Sequence, residues 1–262
     1  MFKFCSLYSG STGNSSLIQT NTTKILVDAG ESAKKIADAL ISLNIEPTQI
    51  DGILITHEHS DHVKGLGTFS KKYNVPVFAN LETWDAMPTQ KEKVCDNNIN
   101  IFEFKEFNIG DISVLPFSIP HDAANPCGFS LSHDGKKISI ATDIGHMTTN
   151  IVDNLTNSSF ILLESNYDPN ILKCSPYPYP LKQRILGPNG HLPNEMAGKT
   201  ISYLANHGLN TVMLGHLSKE NNFPELAYKT VVEQLINDNI NCDNFNLSVA
   251  NRDTISPIID II

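Results

Sequence analysis

Short runs in which apolar and polar residues alternate fill the first thirty positions and predict strands over residues 2–8, 16–20 and 24–28. The Gly-rich turn Ser9-Gly10-Ser11-Thr12-Gly13-Asn14 separates the first two. The period then changes: Ala33, Ile36, Ala37, Leu40 and Leu43 fall at helical spacing and predict an amphipathic helix over residues 31–44. Residues 50–56 form a β-branched run of the kind a strand shows when both faces are covered. A helical stretch at 63–73, a strand at 76–79, a poorly patterned region to residue 100, and strands at 112–119, 127–132 and 137–142 follow. Asp134-Gly135 supplies a hairpin turn between the last two.

The second half alternates again, with strands at 160–164 and 211–215, helices at 194–207 and 224–237, and a Pro-rich loop across 168–192. Strands and helices in both halves predict an α/β sandwich, because each sheet must bury one face on the other sheet and one under helices. Of the 262 residues 40% are apolar and 18% charged, a globular composition for which one domain spanning 1–262 is the expectation. No window approaches 18 consecutive apolar residues, and residues 1–9 lack the apolar run of a signal peptide, so a cytoplasmic protein without a membrane partner is expected. Five scattered cysteines with no Cys-x-x-Cys pair predict reduced, structural thiols. The net charge of −9 argues against an extended basic surface of the kind that grips duplex nucleic acid, although bound cations would reverse the local balance of any site that held them.

The densest chemical signal is Thr56-His57-Glu58-His59-Ser60-Asp61-His62, at the end of the 50–56 strand. A metal needs neutral imidazoles and carboxylates converging from a rigid support, which a strand end followed by a loop provides. Ligands that alternate and then double up suit two neighbouring ions. Three other predicted strands end in a ligand-type residue, at Pro120-His121, Thr142-Asp143 and Gly215-His216.

In kind and order these elements, preceded by Asp28, resemble those of the metallo-β-lactamase superfamily, and the likeness spans Asp28 to His216. It implies the αββα four-layer sandwich of that family and two divalent metal ions, whether zinc, manganese or iron. His57, His59 and His121 would hold one ion, Asp61, His62 and His216 the other, Asp143 would bridge them, and Asp28 would brace the loop. Members that hydrolyse β-lactams usually carry Cys where this chain has Asp143, and oxygen-reducing diiron members carry Glu where it has His59, so hydrolysis of a different substrate is expected. Two divalent ions against five neutral histidines and two aspartates leave about +2, or about +1 with a bridging hydroxide that Asp61 would orient, and such a site suits an anion such as a phosphodiester.

Leu163-Glu164-Ser165-Asn166-Tyr167 and Gly190-His191-Leu192 are similar to the paired loops that support proton transfer to the leaving group in ribonuclease Z. That likeness implies Glu164 and His191 as a carboxylate and its general acid. A strand-end carboxylate paired elsewhere and a histidine organising the cap of the next helix explain the same residues structurally. Ser9-Gly-Ser-Thr-Gly-Asn-Ser15, Pro120-His-Asp-Ala123, Thr142-Asp-Ile-Gly-His146, Tyr179-Pro-Leu-Lys-Gln-Arg-Ile185 and Gly215-His-Leu-Ser-Lys-Glu-Asn-Asn222 are similar to the WalJ (YycJ) subgroup of small nucleases in that superfamily. The likeness implies a 5′-to-3′ exonuclease acting on single-stranded DNA. Pro193 departs from it, standing where the subgroup usually carries a small hydroxyl residue.

Candidate substrate contacts are Ser9 and Asn14 in a Gly-rich turn whose glycines permit the positive φ of an anion-binding nest, Lys182 and Arg184 in the Pro-rich loop, and Ser218, Asn221 and Asn222 beside His216. A plain turn and solvated loops account for them equally. His146 is a candidate for holding the Asp143 carboxylate, while His133 and His207 are expected to be structural. Two other functions stay open: hydrolysis of a small anionic ester, thioester or cyclic nucleotide on the same metals, and a non-catalytic nucleic-acid-binding or regulatory module. RNA stays open as a substrate, and oligomeric state is left undetermined.

Overall fold

The computed structural model describes residues 1–242 and 245–261. Its first half runs β1 (Lys3–Tyr8), β2 (Ser15–Gln19), β3 (Lys24–Val27), α1 (Ala33–Ser42), β4 (Gly52–Leu54), α2 (Ser60–Val63), α3 (Leu66–Tyr73), β5 (Val77–Ala79), α4 (Leu81–Ala86), α5 (Pro88–Lys91) and β6 (Ile99–Ile101). Then come β7 (Phe107–Ile109), β8 (Ile112–Ser118), β9 (Cys127–His133), β10 (Lys136–Ala141), α6 (Thr149–Leu155), β11 (Phe160–Glu164), α7 (Pro169–Cys174) and α8 (Tyr179–Leu186). The chain closes with α9 (Asn194–Ala205), β12 (Thr211–Gly215), α10 (Pro224–Asn237), β13 (Asn246–Val249) and β14 (Ile259–Asp260).

Period-two alternation decides which way each strand faces. Phe4, Ile18, Ile25, Val27 and Leu54 enter one buried cluster, shared with Phe129, Ile140, Phe160 and Met213 of the other sheet. Their neighbours Cys5, Leu7, Leu17, Leu26 and Ile53 point the opposite way and pack with Ile36 and Leu40 of α1 and Phe69 of α3. On the far side Ile161, Leu163, Val212 and Leu214 pack with Ile201 of α9 and Val231 of α10. The layers are therefore helix, sheet, sheet, helix, and the expected α/β sandwich is what forms. One sheet has the order β14-β1-β2-β3-β4-β5-β6 and the other β13-β12-β11-β10-β9-β8-β7.

Parallel pairing positions the chemistry. β3 runs parallel to β4, and β10, β11 and β12 run parallel to one another, so their C-terminal ends gather along one edge of the sandwich. Asp28, Asp143 and His216 each follow one of those strands directly or by one residue, and Glu164 ends β11.

Three stretches differ from expectation. The poorly patterned region before residue 100 contains α4 and α5, the first started by the Asn80 side chain accepting from Thr83 N and the second by Pro88 at its first position. The Pro-rich stretch 168–192 contains α7 and α8, because Asp168 accepts from Asn170 N and Ile171 N and the prolines sit where a helix has no N–H to lose. The helix expected at 63–73 is broken at Gly65, whose Cβ would lie 2.1 Å from the Glu31 carbonyl oxygen. Among the described residues no helix is long and apolar enough to cross a membrane.

Phe129 is fully buried between the sheets, with its ring centroid 5.7 Å from that of Phe102. Phe129→Ala should cost about 3–5 kcal/mol in urea unfolding. A loss under about 1 kcal/mol would mean that the two sheets do not depend on this contact.

Candidate metal centre

The site is assembled from strand ends, and its first requirement is a loop that holds its histidines still. Asp28 does this: Oδ1 accepts from the Thr56 backbone N–H at 2.9 Å, and Oδ2 from the Thr56 hydroxyl at 2.9 Å and His62 Nδ1 at 2.7 Å. A carboxylate only accepts, so His62 carries its proton on Nδ1 and turns Nε2 inward. His57 directs Nδ1 to the Thr56 hydroxyl at 3.0 Å, and His121 donates Nδ1–H to the Gly190 carbonyl at 3.0 Å. The remaining nitrogens converge.

Four groupings of possible ligand atoms form among the described residues, one of them Asp143, Glu164, His191 and His216. His57, His59 and His121 offer ligand atoms within 4.8 Å of one another, as do Asp61, His62 and His216, and as do His57, His62 and Asp143. His59 Nδ1 stands 3.3 Å from His121 Nε2, His216 Nε2 3.3 Å from Asp143 Oδ1, and His62 Nε2 3.2 Å from Asp143 Oδ2. Yet His57 Nε2 and Asp143 Oδ2 are buried with no hydrogen-bond partner. Lone pairs aimed at one another without protons between them are the signature of a cation site.

The electrostatics agree. Burial holds His57 well below its ordinary pKa, keeping it a neutral donor of its lone pair. Burial also opposes charge on His62, but Asp28, Asp143 and Asp61 overcome it and push that imidazole well above its usual value. Burial opposes ionisation of Asp143, and His216 and His62 nonetheless hold it well below the usual carboxylate range. Carboxylates that draw a proton onto a fully buried imidazole create the demand that a divalent cation meets, so the residues present fit divalent metal.

Asp28, Asp143 and His216 all have left-handed backbone, with φ of 62°, 59° and 54°. Each adopts it where the chain leaves a strand and must turn at once toward the cleft, a conformation that costs about 1–3 kcal/mol and collects at functional sites. Gly30 permits the close packing beneath: a Cβ there would lie 1.7 Å from the Asp61 carbonyl, which accepts from Asn14 N at 2.8 Å.

Glu164 and His191 are joined as expected. Glu164 Oε1 accepts from His191 Nδ1 at 2.8 Å, and Oε2 accepts from the backbones of Ile144 at 2.6 Å and Leu192 at 3.0 Å. One buried carboxylate thus links the Asp143 turn to the His191 loop. Asn166 N–H to the Leu192 carbonyl and Asn194 N–H to the Tyr167 carbonyl fasten that loop further, without a hydroxyl at Pro193. His191 Nδ1 lies 3.6 Å from Asp143 Oδ1.

Several expected substrate contacts serve the scaffold instead. Ser9 Oγ accepts from His216 N at 2.9 Å, and Asn14 Nδ2 lies 3.3 Å from Asp61 Oδ2 and 3.2 Å from His62 Nε2. The nest expectation is corrected: Gly110, Gly135 and Gly208 are the glycines with positive φ, whereas Gly10 and Gly13 allow close packing of Arg252 and Glu31. Ser218, Asn221 and Asn222 are buried, with Ser218 Oγ accepting from Asn221 and Asn222 exchanging amide bonds with Asn194 at 2.8 and 3.0 Å. Their place beside His216 made them look exposed to substrate, whereas they tie β12 to α9. Lys182 Nζ donates to the Lys173 carbonyl at 2.7 Å and joins α8 to α7. His146 does not touch Asp143; it is exposed and directs Nδ1 to the Pro188 carbonyl at 2.8 Å. His133 and His207 bond the carbonyls of Asp111 and Tyr203, as structural histidines do.

One residue at the rim escaped the sequence reading. Asp122, next to candidate ligand His121, receives Arg184 Nε at 2.5 Å and Nη2 at 3.1 Å, so the charge of Arg184 is already matched. The Pro120-His-Asp-Ala123 stretch contained it, but only the fold brings α8 across to it.

A two-sheet sandwich with a histidine-aspartate cluster at the C-terminal strand edge defines a class of metal-dependent hydrolase scaffold. Residues 8–196 match the Metallo-beta-lactamase superfamily, and the chain belongs to that family. His216 lies beyond the matched segment and is brought to the site by β12. More particularly, the chain is 39% identical to exodeoxyribonuclease WalJ of Streptococcus pneumoniae serotype 2, over 99% of this chain and 98% of that protein. It is 36% identical to exodeoxyribonuclease YycJ of Bacillus anthracis, over 88% of each. Among solved structures, the metallo-beta-lactamase fold protein YhfI of Bacillus subtilis superposes with a TM-score of 0.69 at 13% identity, covering 98% of this chain and 100% of that one, a likeness of fold.

Asp28→Ala should weaken metal binding about 10- to 100-fold while leaving every candidate ligand in the sequence. Metal retained per chain after dialysis against a graded chelator series measures it, and unchanged retention would remove the bracing role.

Proposed function

We propose that this protein is a metal-dependent exodeoxyribonuclease that hydrolyses phosphodiesters at the 5′ end of single-stranded DNA. The observation that carries this reading is the joining of the histidine-aspartate cluster to the Glu164–His191 pair, with His191 Nδ1 only 3.6 Å from Asp143 Oδ1. The named activities of the similar WalJ and YycJ proteins support DNA as the substrate. A second support is burial: His57, Asp143 and His216 are 0%, 2% and 1% exposed, so the scissile bond must enter a recess, which a flexible strand end does more readily than a duplex.

His57, His59 and His121 would hold one divalent ion and Asp61, His62 and His216 the other, with Asp143 shared; zinc, manganese and iron all suit such ligands. Bound there, the ions would supply Lewis acidity toward the phosphoryl oxygens and acidify a water molecule. The chain's own contribution to proton transfer is His191. Burial opposes its charge, but the Glu164 carboxylate and its hydrogen bond push it up to about 9. With Nδ1 fixed on Glu164, Nε2 is the nitrogen left to donate a proton to a leaving oxygen. Asp61, with its side chain 21% exposed beside His62, would orient the attacking water.

The remaining framework suits one domain in a reducing compartment, since Cys5, Cys95, Cys127, Cys174 and Cys242 are all free. With a metal-replete protein and a 5′-labelled single-stranded oligonucleotide, the first labelled product should be a mononucleotide, and chelator should stop its release. Thioester turnover without nucleotide release would replace this reading with the small-ester hydrolase, and metal-independent binding without cleavage would leave a non-catalytic module. His191→Gln should lower kcat about 10²- to 10⁴-fold with bound metal unchanged. Wild-type kcat in that variant would assign the proton transfer to another group.

A further inference from the structure

Asp122 stands as close to a metal-facing nitrogen as the ligands stand to one another. Its Oδ1 is 3.3 Å from His121 Nε2, the same separation as Asp143 Oδ1 from His216 Nε2. It is nonetheless absent from the groups whose ligand atoms lie within 4.8 Å, and what holds it aside is Arg184, which takes both carboxylate oxygens in a fork. Arg184 projects from α8, a helix with no buried side chain, and its own side chain is 53% exposed. Nothing in the core requires this pair. A carboxylate left free at that spot would swing onto the ion beside His121 and occupy a position that water or substrate needs.

We propose that Arg184 is a positioning residue that acts through Asp122: by clamping the carboxylate it keeps an eighth ligand off the metal centre and leaves a coordination position open. The inference rests on the metal-dependent reading of the site, yet it concerns coordination alone and is read without nucleic acid.

The test is cobalt(II) titration against a competing chelator, with visible absorption recorded at saturation. Arg184→Ala should bind cobalt about tenfold more tightly, with weaker absorption bands as coordination number rises. Adding Asp122→Ala to Arg184→Ala should return both affinity and spectrum toward the parent values. Arg184→Lys, which keeps charge on a surface helix but loses the fork, should fall between. Equal or weaker affinity in Arg184→Ala, or a tighter site that the second substitution does not reverse, would overturn the proposal. Failure of the parent itself to bind cobalt would instead remove the metal reading beneath it.

Discussion

Unprotonated ligand atoms repel one another, and the structure depends on forcing several of them together in a buried space. His57 Nε2 and Asp143 Oδ2 have no hydrogen-bond partner, and the inward nitrogens of His62 and His216 crowd the same carboxylate at 3.2 and 3.3 Å. Each such atom costs about 1–3 kcal/mol when left unsatisfied in the interior. A fold tolerates that arrangement only where something else holds the groups in place, or where a cation repays the repulsion on binding.

The holding starts in the backbone and is backed by side-chain packing. Two parallel sets of strands bring their ends to one edge, and left-handed turns at Asp28, Asp143 and His216 redirect the chain within a single residue. Apolar layers on both sides of each sheet fix those strand ends, so strain at three positions is carried by a much larger buried surface. Glu164 completes the frame from within, since it bonds the residues following Asp143 and His191 with the same oxygen.

Much of this was legible in the residues. The layered architecture followed from period-two strands alternating with 3.6-period helices, and the histidine loop from its ligand density after a β-branched run. What escaped detection depended on long-range approach. Nothing local distinguishes Ser218 or Asn222 as buried network members from exposed polar loop residues, because the amide exchange with Asn194 is made across 28 positions. Gly10 and Gly13 looked like anion-nest glycines, since composition reports conformational freedom but not whether it is used for positive φ or for close packing. Helices α7 and α8 were hidden by prolines, which read as breakers unless their position at the first turn is known.

Charge placement links the scaffold to its chemistry. A chain with net charge −9 must still admit a polyanion, and long-range attraction cannot do that work. Neither cation of the Pro-rich stretch is free to compensate, because Arg184 is matched by Asp122 and Lys182 is bonded to a carbonyl of the same stretch. Attraction would therefore have to arise at the cluster itself, where bound divalent cations would outweigh the carboxylates and act in a buried, weakly screened space. A site of that kind discriminates through what can reach it. On the proposed reading a flexible terminus with a phosphodiester would enter the recess and meet that charge, whereas a rigid duplex would meet an acidic exterior first, so the imbalance that weakens general nucleic-acid binding would favour action at strand ends.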